Sequence, residues 1–119
     1  MIFFDSYAII EIINGNPNYL KYNEEDFLTN TLNLSEVVYA LLKQFDEQEV
    51  DEIINQFNFI FIEITDEIAI ESSKFRYKNR SKSLSYADCI SYIMSVKMGI
   101  KFLTGDKEFE NLKDVEFVK

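Results

Sequence analysis

The sequence predicts an α/β fold, a parallel sheet covered on both faces by helices. Three observations predict it. Short apolar runs alternate with segments of helical periodicity, which is the pattern of parallel sheets joined by helices. Gly (3) and Pro (1) are scarce, so the turns that an all-β sandwich needs are missing. The 119 residues are 47% apolar, with 11 Phe and 7 Tyr. That suffices for one domain over residues 1–119 with a sizeable core, and it argues against disorder.

The elements follow in order. Ile2-Phe3-Phe4 reads as a buried strand ended by Asp5, and Ser6 to Ile13 as a helix whose only charge is Glu11. Asn14-Gly15-Asn16-Pro17 stops it. Residues 18–30 read as a short helix and a loop, and Thr31 to Asn33 as a brief extended piece. Ser35 opens a nearly all-apolar helix to about Phe45, placing Glu36 in its first turn. Asp46 to Phe57 is a surface helix, because Val50, Ile53, Ile54 and Phe57 form one stripe and the acids face water.

Asn58 to Ile64 (NFIFIEI) is the clearest strand, and Thr65-Asp66 starts a helix to about Lys78. A loop over Asn79–Ser83 leads to a helix from Ser85 to about Lys97, where Ser85 and Asp88 have capping-box spacing and Gly99 supplies the stop. Ile100 to Leu103 is a second buried strand, ended by Thr104-Gly105-Asp106. A helical turn and a strand at Val115 to Val118 close the chain.

Composition excludes several chemistries. There is no histidine, hence no Ser-His or Cys-His nucleophile pair and no His-ligated zinc. One cysteine excludes a disulfide scaffold and a CxxC metal site; Cys89 reads as a small buried residue. No apolar run reaches membrane-spanning length and no signal peptide is evident, so no membrane association and a cytoplasmic location are expected. The net charge of −9 hides a split. Residues 1–73 carry 15 acids against Lys21 and Lys43 alone, whereas residues 74–119 carry 10 bases against 6 acids.

Four acids stand apart from the solvent faces. Asp5 and Asp106 follow apolar strands, and Glu36 and Asp88 lie near helix starts. In an open α/β sheet the strand ends and helix starts share one edge, where ligands bind. Two carboxylates about 5 Å apart repel by roughly 3 kcal/mol at an effective dielectric near 20. A converging quartet therefore either keeps protons or holds a divalent cation. With oxygen ligands only, that cation is hard, Mg²⁺ or Mn²⁺. Such a site suits hydrolysis of a phosphodiester. Taken singly, each acid also has an ordinary use as an N-cap, a dipole partner or a turn residue.

The order of segments resembles the PIN-domain family, particularly the small toxin ribonucleases of toxin–antitoxin pairs. The resemblance rests on Phe4-Asp5-Ser6-Tyr7-Ala8-Ile9-Ile10, Gly15-Asn16-Pro17, Leu34-Ser35-Glu36-Val37-Val38-Tyr39, Ser85-Tyr86-Ala87-Asp88-Cys89-Ile90 and Leu103-Thr104-Gly105-Asp106-Lys107-Glu108-Phe109. It implies a three-layer α/β/α fold with a central parallel sheet of about five strands, and a metal-dependent endoribonuclease. Carried over by position, Asp5, Glu36, Asp88 and Asp106 are the catalytic and metal-binding quartet, with Ser6 and Thr104 in support. It also implies an RNA substrate, a homodimer and an antitoxin protein as partners. The alternative of another class is a catalytically silent module that keeps the fold and binds RNA or protein. A phosphoacceptor domain fits less well: Ile64-Thr65-Asp66 is its only candidate acceptor segment, and the paired acids expected after the first strand are missing.

Lys74, Arg76, Lys78, Arg80 and Lys82 form a basic run interleaved with Phe75 and Tyr77, just ahead of Asp88. It reads equally as a solvated helix end complementing the dipole and as a rim of RNA contacts beside an acidic pocket. Glu63 and Glu11 are decoys near the sheet edge, better read as non-functional. Tyr7, Tyr39, Phe45, Tyr86 and Tyr92 belong to the core or to a helix–helix patch.

Overall fold

The computed structural model describes residues 1–119. Five strands and five helices alternate: β1 (Ile2–Phe4), α1 (Ser6–Ile13), β2 (Phe27–Thr29), α2 (Thr31–Leu42), α3 (Glu47–Asn55), β3 (Phe59–Phe61), α4 (Asp66–Lys78), α5 (Tyr86–Met98), β4 (Lys101–Thr104) and β5 (Val115–Phe117). Short 3₁₀ turns at Pro17–Tyr22 and Lys107–Phe109 complete the chain. No helix is long and apolar enough to cross a membrane.

All strand pairings are parallel, but the sheet is divided. β1, β4 and β5 form one three-stranded ladder in the order β1-β4-β5, and β2 pairs with β3 in a second. The expected single sheet of about five strands is corrected accordingly. The seam lies between β1 and β2. There the Phe4 carbonyl accepts from the side chains of Thr29 (Oγ1, 2.8 Å) and Asn33 (Nδ2, 3.3 Å). Side chains thus take the place of backbone rungs.

Strand alternation creates two cores. Phe4 and Leu103 face α1 and α2, packing with Ala8, Ile9, Val37 and Leu41. Phe3 and Phe102 face the other way, against Ile68, Leu84, Tyr92 and Met94 from α4, α5 and the loop between them. The chain is therefore layered helix–sheet–helix. Each of these buried side chains contributes on the order of 1.5–3 kcal/mol of transfer free energy.

The strand read over Asn58–Ile64 is confined to Phe59–Phe61, and two other elements differ in kind from the sequence reading. Phe27–Thr29 is a strand, hidden because all three residues are buried and show no alternation. Thr31–Asn33 is not extended but the first turn of α2. Asn30 caps that helix, its Oδ1 accepting from the Asn33 amide at 2.9 Å, and Asn is as strong a cap as Ser. Glu36 consequently sits in the second turn of α2, not the first. Elsewhere the punctuation acts as read. Ser85 and Asp88 form a reciprocal capping box, as do Asp46 and Glu49. Gly99 ends α5 in the left-handed region at φ +68°, where a Cβ is penalised.

Candidate active site

Parallel pairing puts the C-terminal ends of β1 and β4 on one edge with the first turns of α1 and α5, and the Thr29 and Asn33 bonds to the Phe4 carbonyl bring the end of β2 and the start of α2 beside it. Asp5 stands at the end of β1, 2% exposed. Its Oδ1 accepts from the Ser6 amide at 2.9 Å and its Oδ2 from the Thr104 hydroxyl at 2.6 Å. Thr104 in turn accepts from the Asp106 amide at 3.1 Å. On the other side, the Ser6 hydroxyl donates to Glu36 Oε1 at 3.0 Å. One hydrogen-bonded string therefore runs from Glu36 through Ser6, Asp5 and Thr104 to the backbone of Asp106. Its members come from α2, α1, β1, β4 and the turn after β4.

Asp88 approaches from α5, where its Oδ2 accepts from the Ser85 amide at 2.9 Å and its own amide donates to the Ser85 hydroxyl at 3.0 Å. Asp106 Oδ1 caps the following turn by accepting from the Glu108 amide at 3.0 Å. The ordinary uses of these acids as caps are thus real. They do not exhaust the site, because the charges also act on one another.

Burial pushes the Asp5 carboxyl up to about 7, opposed by the Thr104 hydrogen bond and reinforced by the charges of Asp88 and Glu36. Glu36 is raised by desolvation, lowered by Ser6 and raised again by Asp88. Asp88 is raised by desolvation, lowered by Ser85 and raised by Asp106. All four acids thus belong to one electrostatic neighbourhood, and none of them is ion-paired: the three ion pairs of the chain are Lys21–Glu116, Lys74–Glu71 and Lys97–Glu67.

The donor set is hard oxygen throughout, which suits Mg²⁺ or Mn²⁺. No three carboxylates are drawn in tightly enough to form a ready-made ligand cage. That spacing still fits Mg²⁺, which commonly keeps several waters and takes only one or two protein carboxylates.

Sequence reasoning missed the support beneath this edge. Thr29, Asn30, Asn33 and Ser91 are all buried. Asn30 donates to Ser91 Oγ (3.1 Å), Ser91 to Asn33 Oδ1 (3.2 Å), and Asn33 to Thr29 Oγ1 (2.9 Å). The chain of bonds ends on the Phe4 carbonyl, in the peptide that carries Asp5. A satisfied buried network of this kind fixes one backbone arrangement. Its signal was the Asn at positions 30 and 33, polar residues beside an apolar helix. Tyr7 was also missed as a neighbour of the site. Its hydroxyl is raised by burial and by Glu11 and Asp106. Glu63 is exposed and outside the site.

The basic run divides. Arg76, Arg80 and Lys82 line one cleft with Tyr77 and Tyr86. Lys74 is outside that cleft and pairs with Glu71, and Lys78 is exposed outside it. Cys89 is buried, its thiol pushed up to about 11 by burial and by Asp88, with Arg76 opposing.

No curated protein matches the sequence significantly. The chain is similar in structure to VapC20 of Mycobacterium tuberculosis, a sarcin–ricin-loop-cleaving toxin (TM-score 0.79, 16% identity, all of both chains covered). It is similar to a toxin–antitoxin complex from Klebsiella pneumoniae (TM-score 0.74, 21% identity, 98% of this chain and 96% of that one). It is also similar to VapBC2 from Rickettsia felis, solved with a promoter DNA fragment (TM-score 0.74, 12% identity, all of both chains). At these identities the likeness is one of fold. The sequence itself matches the PIN domain model over residues 2–115, from β1 through every acid of the quartet to the start of β5, and the chain therefore belongs to the PIN-domain family.

Proposed function

We propose that the protein is a Mg²⁺- or Mn²⁺-dependent endoribonuclease that hydrolyses RNA phosphodiester bonds as the toxin of a toxin–antitoxin pair. What supports this reading is that Asp5, Glu36, Asp88 and Asp106, from four separate segments, act electrostatically on one another and none of them is ion-paired. Family membership and neighbours described as toxins and toxin–antitoxin complexes support it. The partners that follow are an RNA substrate, an antitoxin and a second copy of the chain.

One or two of the four carboxylates would hold the cation directly and the others through its waters, and the cation would supply charge neutralisation, an activated water and stabilisation of the leaving oxygen. The chain's own part is positional. Thr104 and the Ser6 amide hold both oxygens of Asp5. Ser6 holds Glu36 towards it, and Ser85 fixes Asp88. With carboxyls raised towards neutrality, the cluster can take up a proton in the metal-free state, so cation binding releases protons. Titration with Mn²⁺ tests the reading: binding that is lost in Asp5→Asn and Asp88→Asn, together with EDTA-sensitive cleavage of RNA, is the expected result.

One observation favours a second reading. The acids are spread more widely than a closed ligand cage, as a catalytically silent module binding RNA or protein through the same fold would allow. Mn²⁺ binding that is absent, or indifferent to both substitutions, selects that reading.

A further inference from the structure

The last turns of α4, the loop after it and the first residue of α5 enclose a cleft of about 310 Å³, lined by Arg76, Tyr77, Arg80, Lys82, Leu84 and Tyr86. Its size is at the small end of ligand pockets. Its two arginines are held rather than floating. Arg76 Nε donates to the Leu84 carbonyl at 3.0 Å, and its guanidinium lies 4.1 Å from the Tyr86 ring centroid. Arg80 lies 4.3 Å from the Tyr77 centroid and donates to the Tyr77 carbonyl at 2.8 Å.

Neither arginine nor Lys82 has a carboxylate within 4 Å, since the chain's three ion pairs involve other residues. Acids outnumber bases 21 to 12, so an unpaired basic cleft runs against the bias of the chain. Oriented guanidiniums with free N–H edges suit a phosphate. The rings of Tyr77 and Tyr86, 67% and 61% exposed, add surfaces on which a base can stack. A plain carboxylate ligand would leave those rings unused, which favours a nucleotide over an acidic protein segment.

The cleft also abuts the segment that holds Asp88. Leu84 and Tyr86 line it, and between them Ser85 holds Asp88 through its amide and its hydroxyl. We infer that this cleft is a nucleotide subsite: it grips the phosphate and base of single-stranded RNA next to the phosphodiester offered to the acidic quartet. The inference rests on the ribonuclease reading for its substrate, but it assigns the grip to Arg76, Arg80 and Lys82 and withholds it from Lys74 and Lys78.

The test is anisotropy of a fluorescein-labelled single-stranded octaribonucleotide with the full chain in EDTA, across a salt series. Arg80→Ala combined with Lys82→Ala is expected to weaken binding by about fivefold or more. The slope of log affinity against log salt should fall by roughly 1.4, about 0.7 per cation removed. Lys74→Ala combined with Lys78→Ala should change affinity by less than about twofold. Equal losses in the two double variants, or none in the first, overturn the inference. So does a first variant that binds RNA normally but loses a partner protein, because the cleft then serves protein docking. Thermal melts of both variants confirm folding. Wild-type cleavage with an indifferent cleft variant sinks this inference alone. Cleft-dependent binding without metal-dependent cleavage sinks the nuclease reading alone.

Discussion

The acidic edge and the basic cleft are neighbours built in opposite ways. The acids come from residues 5, 36, 88 and 106, on four separate segments; Asp5 and Glu36 are tied by bonds between elements, and Asp88 and Asp106 by their own helix caps. The bases come from residues 76 to 82, one helix end and its loop, and the two arginines among them are held by aromatic rings and local carbonyls. The two sets do not neutralise each other. Each is left wanting a counter-charge from outside, a cation in one case and an anion in the other. On the proposed function a metal ion with a bound phosphodiester would satisfy both, and the comparison turns on whether the two regions can be disabled separately.

The largest separation is expected from Asp88→Asn. Asn is nearly isosteric and keeps an oxygen to accept from the Ser85 amide, so α5 stays capped. The charge is lost, and RNA cleavage in Mn²⁺ should fall by about 100-fold or more, in line with the loss of a group that acts directly on the reacting centre. RNA affinity in EDTA should hold or rise slightly, because one negative charge near the cleft is gone. Cleavage within about threefold of wild type would remove Asp88 from the chemistry.

Gly105 ties the acidic edge to the packing beneath it. A Cβ there collides with the Tyr7 ring and the Val118 carbonyl. The carbonyl is backbone and already accepts from the Tyr19 hydroxyl, so the strain has no cheap outlet. Gly105→Ala is expected to lower stability by about 3 kcal/mol, at the upper end of overpacking costs. Because Asp106 follows directly, Mn²⁺ affinity should drop as well, while the cleft is untouched. Urea denaturation and Mn²⁺ titration on the same sample check both halves.

The contrast in construction also explains what the sequence discloses. Asp5, Asp88 and Asp106 are legible because each ends or begins an element of clear periodicity. The opposed cores are legible too: Phe3 and Phe4, adjacent in a strand, must face opposite ways. The break between β1 and β2 is not, because Thr29 and Asn33 replace backbone rungs with side-chain bonds that no periodicity reports. The start of α2 was misplaced for a related reason. Asn30 is buried and caps from within a polar stretch, so Ser35 is the more visible but wrong choice. For the basic run, composition shows the charge but not its division. That division depends on which side of α4 faces the loop that Leu84 anchors, a matter of packing.

A further effect concerns pH and sharpens the account of the acidic edge. Asp5 is held at about 7 in the folded protein against 3.8 for an ordinary Asp. The folded state therefore binds the extra proton more tightly than the unfolded one. Stability is highest below the unfolded value and is lost as pH rises through about 7. Asp5→Asn removes this penalty. In metal-free buffer it should be more stable than wild type at pH 8 by up to about 4 kcal/mol, less what is lost where the Thr104 hydroxyl donates to Asp5, with the difference shrinking towards pH 4. Mn²⁺ should reverse the order for wild type at pH 8, because the cation supplies the missing counter-charge. Parallel denaturation curves across that range, with no convergence at low pH, would show that burial does not raise this carboxyl.

The smallest expected effect isolates one bond of the string. Ser6 has two roles: its amide holds Asp5 and its hydroxyl holds Glu36. Ser6→Ala deletes the second and keeps the first. Glu36 is exposed, so the bond is worth little to stability, and the midpoint of unfolding should move by less than about 0.5 kcal/mol. Glu36 is nonetheless freed from its orientation towards Asp5, and loss of an orienting partner typically lowers metal affinity by about 10-fold or more. Exposure argues for the low end, so about fivefold weaker Mn²⁺ binding is expected, with RNA affinity in EDTA unchanged. Ser6→Thr keeps the hydroxyl and should restore the affinity. If Ser6→Ala binds Mn²⁺ as wild type does, Glu36 is not oriented through Ser6. The acidic edge then acts through Asp5, Asp88 and Asp106 alone.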